Sequence, residues 1–273
     1  MNKKILGIII FLVAIASFLG GSFLTQLRFQ NKVAGEKTES LPTPSPAVKQ
    51  AKGVTLEMIK KAFEKSLVKF GDLNSPLLIL EISDPSCPFC HVAAGKNGEL
   101  NKQIDNSRGR QVFTLVSDGG TYLAPVVEIR KLVEEKKASF AYLYFPGHGN
   151  GEMGTKALYC AFKGGKYWEV HDKLMTNKGY DLLNNSVRND RGKAAELADF
   201  LKSVFDQKEM KECLESKDFD EQLKIEEDLG GELMVSASGG AGTPGFFINT
   251  VFFGGAYNFK EMEPAIKEAL QTK

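Results

Sequence analysis

From Ile5 to Leu24 the chain carries twenty consecutive uncharged, mostly apolar residues. As a helix such a run spans about 30 Å, the thickness of a bilayer core. Lys3 and Lys4 precede it, which predicts an anchor with its N-terminus inside and everything after Leu24 outside, opposed by Arg28 and Lys32. The alternative is a cleaved signal peptide, since Ala14-Ile15-Ala16 resembles a small-x-small cleavage site, although the apolar run continues past it. Residues 1–28 are read as the anchor. Residues 29–54, with Leu-Pro-Thr-Pro-Ser-Pro at positions 41 to 46, are read as a linker, polar and proline-rich like an extended stalk.

Beyond the linker the pattern becomes that of a folded α/β domain over 55–273. Leu77-Leu78-Ile79-Leu80-Glu81-Ile82 is a short apolar run that reads as a buried parallel strand, ending in Ser-Asp-Pro-Ser. Phe140 to Phe145 predicts a second strand, and Ala124 to Glu135 a helix before it. The stretch between Val92 and Leu123 is rich in Gly and Asn, with a strand-like alternation at Val112-Phe113-Thr114-Leu115-Val116. Apolar residues then recur at helical spacing over Met153–Phe162, Tyr167–Met175, Gly192–Val204, Glu209–Ser216 and Phe219–Val235. A turn at Gly242-Thr243-Pro244-Gly245 runs into strands at Phe246–Ile248 and Val251–Phe253, and a helix from Phe259 to about Gln271.

The 273 residues are 42% hydrophobic and 25% charged with a formal charge of +1, so the basic excess that draws proteins to nucleic acid is missing. The chemistry concentrates in Cys87-Pro88-Phe89-Cys90-His91. A proline after a cysteine suits the first position of a helix, where its missing N–H costs nothing, which puts Cys87 at the cap. There the unsatisfied backbone N–H groups and the positive end of the helix dipole favour thiolate, making Cys87 the nucleophile and Cys90, one turn inside, the resolving thiol. C-x-x-C is also half of a zinc site, but Cys160, Cys213, His91, His148 and His171 show no matching ligand spacing, so no metal is assigned.

Together the strand, Asp-Pro-Ser-Cys-Pro-Phe-Cys-His and the late Gly-Thr-Pro-Gly-Phe-Phe-Ile-Asn resemble the DsbA-like branch of the thioredoxin superfamily, over roughly residues 55 to 273. The resemblance implies a thioredoxin-like fold with an inserted helical domain at about 150–238. It implies a cis Pro244 facing the dithiol, with Thr243 lining a substrate groove alongside Pro88 and Phe89. It also implies that Glu81, six residues before Cys87, accepts the proton of Cys90; the bland reading is a strand-end glutamate in solvent. His91 reads either as a tuner of the dithiol or as a helix-surface residue, His148 as a loop residue, Trp168 as core and His171 as partly exposed surface.

Cys160 and Cys213 fall on two of the expected helices and complete an even count in a chain placed outside the cytoplasm, so they are expected to pair; two free buried thiols are the alternative. The stretch from Val92 to Leu123 departs from the family pattern of a single helix and would reshape the groove. The expected activity is extracytoplasmic thiol–disulfide exchange without a cofactor, forming disulfides in thiol-containing secreted or surface proteins and recycled by a membrane redox partner. The alternatives are a reductase or isomerase of the same fold, or a membrane-anchored binding or assembly protein with an incidental dithiol.

Overall fold

Two strands buried along their whole length organise the domain: β2 (Leu78–Ser83) and β3 (Ser139–Tyr144) lie side by side and parallel. The structure, a computed structural model, describes residues 53–271. The expected membrane segment and the linker up to Lys52 lie outside the described residues, and among those described no helix is long and apolar enough to cross a membrane.

Before β2 come α1 (Leu56–Lys65), whose first turn is capped by Thr55, and β1 (Val68–Phe70). A parallel pair needs a long crossover. Here it consists of α2 (Pro88–Ala94), α3 (Gly98–Arg108) and α4 (Pro125–Glu134). β4 (Gly245–Ile248) pairs antiparallel with β2, β5 (Val251–Gly254) with β4, and β1 with the far side of β3, giving the order β1-β3-β2-β4-β5. Between β3 and β4 run α5 (Glu152–Lys163), α6 (Tyr167–Leu174), α7 (Asn177–Asp181) with a π-helical turn at Leu182–Val187, α8 (Ala194–Leu201), α9 (Gln207–Glu215) and α10 (Asp220–Ser238). The last element is α11 (Phe259–Gln271).

The period-2 alternation of the strands divides the core. Leu78, Leu80 and Ile82 pack with Phe247, with Ile59 and Phe63 of α1, and with Leu233 and Met234 of α10. Ile79 faces the other way, with Phe140, Tyr142 and Phe246, toward Leu158, Leu174 and Leu197 of the helical segment. Glu81 and Ser83 share the face of Ile79, so a carboxyl group enters the core on the helical side of the sheet. Helix α10 falls within the expected helical insertion by sequence, yet it packs against α1 and β3.

The alternating stretch Val112 to Val116 is not a strand. Its pairing is limited to one isolated bridge between Leu115 and Tyr122. The reason is Asp105 at the end of α3, whose carboxylate accepts the N–H groups of Val112, Phe113 and Thr114 together with Thr114 Oγ1, all within 3.0 Å. Asn101 Nδ2 donates to Phe113 O at 2.9 Å. Side chains of α3 thus satisfy the backbone groups that a partner strand would have taken.

Candidate active site

Helix α2 begins at Pro88, and Cys87 is its N-cap in extended conformation. Cys87 O accepts the N–H groups of Cys90 and His91 at 3.1 and 3.2 Å, which locks the motif into the first turn. Cys87 Sγ lies 3.4 Å from Thr243 O, and the Thr243–Pro244 peptide is cis, so the late loop stands over the first cysteine. Cys90 Sγ accepts the N–H of Asp84 at 3.4 Å. Both cysteines are free thiols.

The two sulfurs differ in electrostatics. Cys87 is brought down from 9.0 to about 7, first by the hydrogen bond from the Cys90 thiol, against its own burial, with further help from Thr243 and the backbone N–H groups of Cys90 and Phe89. Cys90 is pushed well up, first by complete burial and then by the neighbouring Cys87, which withholds its proton until it is needed. Such an arrangement gives one nucleophile or leaving group at neutral pH and one protected thiol.

Asp84, absent from the sequence-based set, ties the motif together. Its Oδ1 accepts Ser86 N–H and Oγ–H at 2.8 and 2.7 Å, and its Oδ2 accepts the N–H groups of His148 and Gly149 at 2.7 and 3.2 Å. The loop after β3 is thereby held between the dithiol and the cis-proline loop. A Cβ on Gly147 would collide with the Thr243 side chain, and one on Gly151 with Asp84 itself, so both positions admit only glycine without rearrangement. The side chain of His148 is exposed on this loop, as expected.

His91 is not a helix-surface residue. It is fully buried, with Nε2 2.8 Å from Pro85 O and Nδ1 3.0 Å from Met175 O, and burial lowers its pKa to about 4. It pins the turn before Cys87 to the end of α6. Phe89 is half-buried, edge-on to Phe113 at 6.0 Å, and Arg108 of α3 lies over its ring at 5.0 Å. The stretch from Val92 to Leu123 thus builds a wall beside the motif.

Glu81 is 1% exposed, paired across the sheet with Tyr142 and Phe246, and burial raises its pKa, against a lowering influence from His171. The solvent-facing alternative for this residue is excluded. His171, expected as partly exposed surface, is 1% exposed and packed under the sheet. Periodicity along α6 carries the signal, because Tyr167, Val170, His171 and Leu174 recur at i, i+3, i+4 and i+7 and form the buried stripe of the helix. Trp168 is half-buried, stacked on Phe70 at 5.5 Å with Arg130 over its ring at 5.2 Å. Cys160 of α5 and Cys213 of α9 form a disulfide with Cα atoms 6.1 Å apart.

A family model described as thioredoxin matches residues 126–268. The match begins beyond the dithiol helix, so it is carried by β3, the helical segment, the cis-proline loop and the last helix. Among solved structures, oxidised BdbD from Bacillus subtilis superposes with a TM-score of 0.53 at 17% identity, covering 82% of this chain and 100% of its own. A thioredoxin-like oxidoreductase from Silicibacter pomeroyi DSS-3 gives 0.51 at 15% identity, with 81% and 100% covered. DsbA of Chlamydia trachomatis gives 0.51 at 16%, with 85% and 99% covered. A curated protein named Na(+)/H(+) antiporter NhaA 1, from Salinispora arenicola (strain CNS-205), is 24% identical over 203 residues, which is 73% of this chain but 24% of that protein. The chain therefore spans about a quarter of the length of the curated relative it matches. Sheet order and family match agree, and over more than half its length the sequence meets the same model: the chain belongs to the thioredoxin family, with DsbA-type proteins among its structural neighbours.

Proposed function

We propose that this protein is an extracytoplasmic thiol–disulfide oxidoreductase that forms disulfides in secreted or surface proteins through Cys87 and Cys90. A substrate thiolate attacks Cys87 Sγ of the Cys87–Cys90 disulfide, that bond breaks, and Cys90 leaves and takes up a proton. A second substrate thiolate then attacks the substrate sulfur of the mixed disulfide, and Cys87 leaves as thiolate. Two substrate thiols become one disulfide, and two electrons stay on the dithiol until a membrane redox partner removes them.

The observation that carries the reading is the asymmetry of the sulfurs. A Cys87 held at about pKa 7 is a good leaving group, and whatever stabilises its thiolate favours the reduced dithiol, which makes the disulfide a stronger oxidant. Thr243 and Pro244, with Pro88 and Phe89, form the substrate-facing surface in this reading, and residues 1–28 tether domain 55–273 through the linker 29–54. The test is recovery of activity by a reduced, unfolded ribonuclease in a glutathione buffer. The full chain is expected to accelerate recovery and Cys87→Ser to abolish the effect; equal rates with and without Cys87 would leave a binding protein with an incidental dithiol.

A further inference from the structure

Beneath Cys90 lies a group of buried polar atoms that the exchange reaction does not use. Glu81 Oε2, Tyr167 OH and His171 Nε2 are buried without a hydrogen-bond partner, and Ser83 Oγ, also buried, stands between Glu81 and Cys90. They belong to one place. Glu81 and Ser83 share a face of β2, and Ser83 adjoins Cys90 and Glu81. His171 acts electrostatically on Glu81, Glu81 on Tyr167, and the Tyr167 and His171 rings stack with centroids 5.9 Å apart. Buried polar groups in a fold ordinarily find partners, so unpaired ones gathered beneath a dithiol point to a role.

The cluster has an exit. His171 Nδ1 lies 3.2 Å from Asp172 Oδ1, a contact that in this reduced chain favours the proton on Nδ1 and leaves Nε2 facing the core as an acceptor. Asp172 is partly exposed and paired with Lys96 at 2.7 Å and Arg130 at 3.4 Å, in a cleft also lined by Ala94 and Trp168. Ala94 ends α2, the helix that Cys87 begins, so the cleft opens one helix length from the dithiol.

We propose that His171, held by Asp172, relays the proton of Cys90 between buried Glu81 and this cleft, so that the thiol exchanges protons with solvent while substrate covers the dithiol. The inference rests on the function proposed above. When substrate opens the disulfide, Cys90 leaves as a thiolate in a fully buried site and takes a proton from the Glu81 carboxyl, through Ser83 or water. In the oxidised chain the His171 proton sits on Nε2; it passes to Glu81 while Nδ1 takes up one from the cleft beside Asp172, which leaves the Nδ1-protonated imidazole of the reduced chain. On reoxidation the same proton travels outward. His171 is a positioning and relay residue; it touches neither sulfur. The charged and titratable groups facing this pair are Glu81 from β2, Tyr142 from β3, Tyr167 and Asp172 from α6, His91 from α2, with Lys96 and Arg130 beyond Asp172.

The test uses the reduced full-length chain with carboxyl-¹³C glutamate and ¹⁵N histidine. His171 lowers Glu81 electrostatically, so His171→Gln is expected to move the Glu81 midpoint upward. In the same variant, resolution of a Cys87–glutathione mixed disulfide by Cys90 is expected to slow on the order of tenfold near neutral pH, since direct transfer through a positioned group contributes about 100-fold or more. Alkylation of Cys87 by iodoacetamide is expected to be unchanged. An unmoved Glu81 midpoint, or unaltered resolution, in His171→Gln overturns the relay. Absence of any exchange with glutathione in the unsubstituted chain would instead refute the proposed function, while the titrations would still decide the coupling.

Discussion

Replacing Cys90 by Ala and by Ser separates the cause of Cys87 activation from its position at a helix start. Both variants keep the cap, the dipole and the Thr243 contact. Ser also keeps a donor beside Cys87 Sγ, and Ala removes it. The hydrogen bond from Cys90 is the largest cause of the lowering from 9.0 to about 7, and burial opposes it. A lowering of about 2 pH units corresponds to roughly 2.7 kcal/mol of preference for the thiolate. Cys90→Ala is therefore expected to raise Cys87 most of the way back toward 9.0, to about 8.5, since the Thr243 and backbone hydrogen bonds remain. Thiolate at pH 7 then falls from about one half to about 3%, and the more basic thiolate is intrinsically about fivefold more nucleophilic, so attack on a small aromatic disulfide slows only about threefold. With Cys160 and Cys213 joined, Cys87 is the single thiol in each variant, and its absorbance at 240 nm reports its ionisation directly. Cys90→Ser is expected to titrate near the unsubstituted value. Identical midpoints for Ala and Ser would refute the hydrogen bond as the cause and leave the helix start as the source.

His91 is neutral in the fold with a pKa of about 4, below its ordinary 6.5, so the unfolded chain binds more protons between these values. Its contribution is complete above pH 6.5 and lost as pH falls to 4, about 3 kcal/mol in all, to be read from urea unfolding at stepped pH; His91→Asn should remove that part of the slope. Opening the Cys160–Cys213 bridge by a double Ala substitution is expected to cost about 4 kcal/mol for its separation of 53 residues, measured in the same assay; a loss under about 1 kcal/mol would mean the unfolded chain is little constrained by it. Glu226, buried in α10, accepts Leu67 N–H, Tyr144 N–H, Tyr159 O–H and Gln222 Nε2–H, and so joins α10 to the residue before β1, to β3 and to α5. Glu226→Ala leaves several donors without a partner and is expected to destabilise by about 4 kcal/mol; a change within about 0.5 kcal/mol would show that water replaces the carboxylate.

How much of this can be read from the sequence depends on whether the cause is local. The dithiol helix start is legible because Pro88 marks the first helical position and Cys87 must then be the cap. The strand before it is legible because a sheet buried on both faces asks for an unbroken apolar run, and the one charged residue in that run, Glu81, is the one with a core role to explain. Cys160 and Cys213 follow from an even count. Val112 to Val116 misleads because its alternation is real, while its hydrogen bonds go to Asp105 and Asn101 on α3, seven or more residues away, and no local pattern records that. Asp84 is missed for the same reason, and so is the partner of His171. The partners that give them meaning lie on the loop after β3 and on β2; the spacing of α6 puts His171 on the buried stripe with Tyr167, Val170 and Leu174, but nothing local shows that Glu81 faces it.

The central claim is that Cys87 and Cys90 form a reversible, oxidising couple. The direct test is the reduction potential of the full-length chain equilibrated against glutathione buffers, followed by the fraction of Cys87–Cys90 disulfide. The account predicts a two-electron transition near the oxidising end of the range for such proteins, about −120 mV, that disappears in Cys87→Ser. A transition near −270 mV would make the protein a reductant in need of electrons, and the absence of any reversible transition would contradict thiol–disulfide exchange itself.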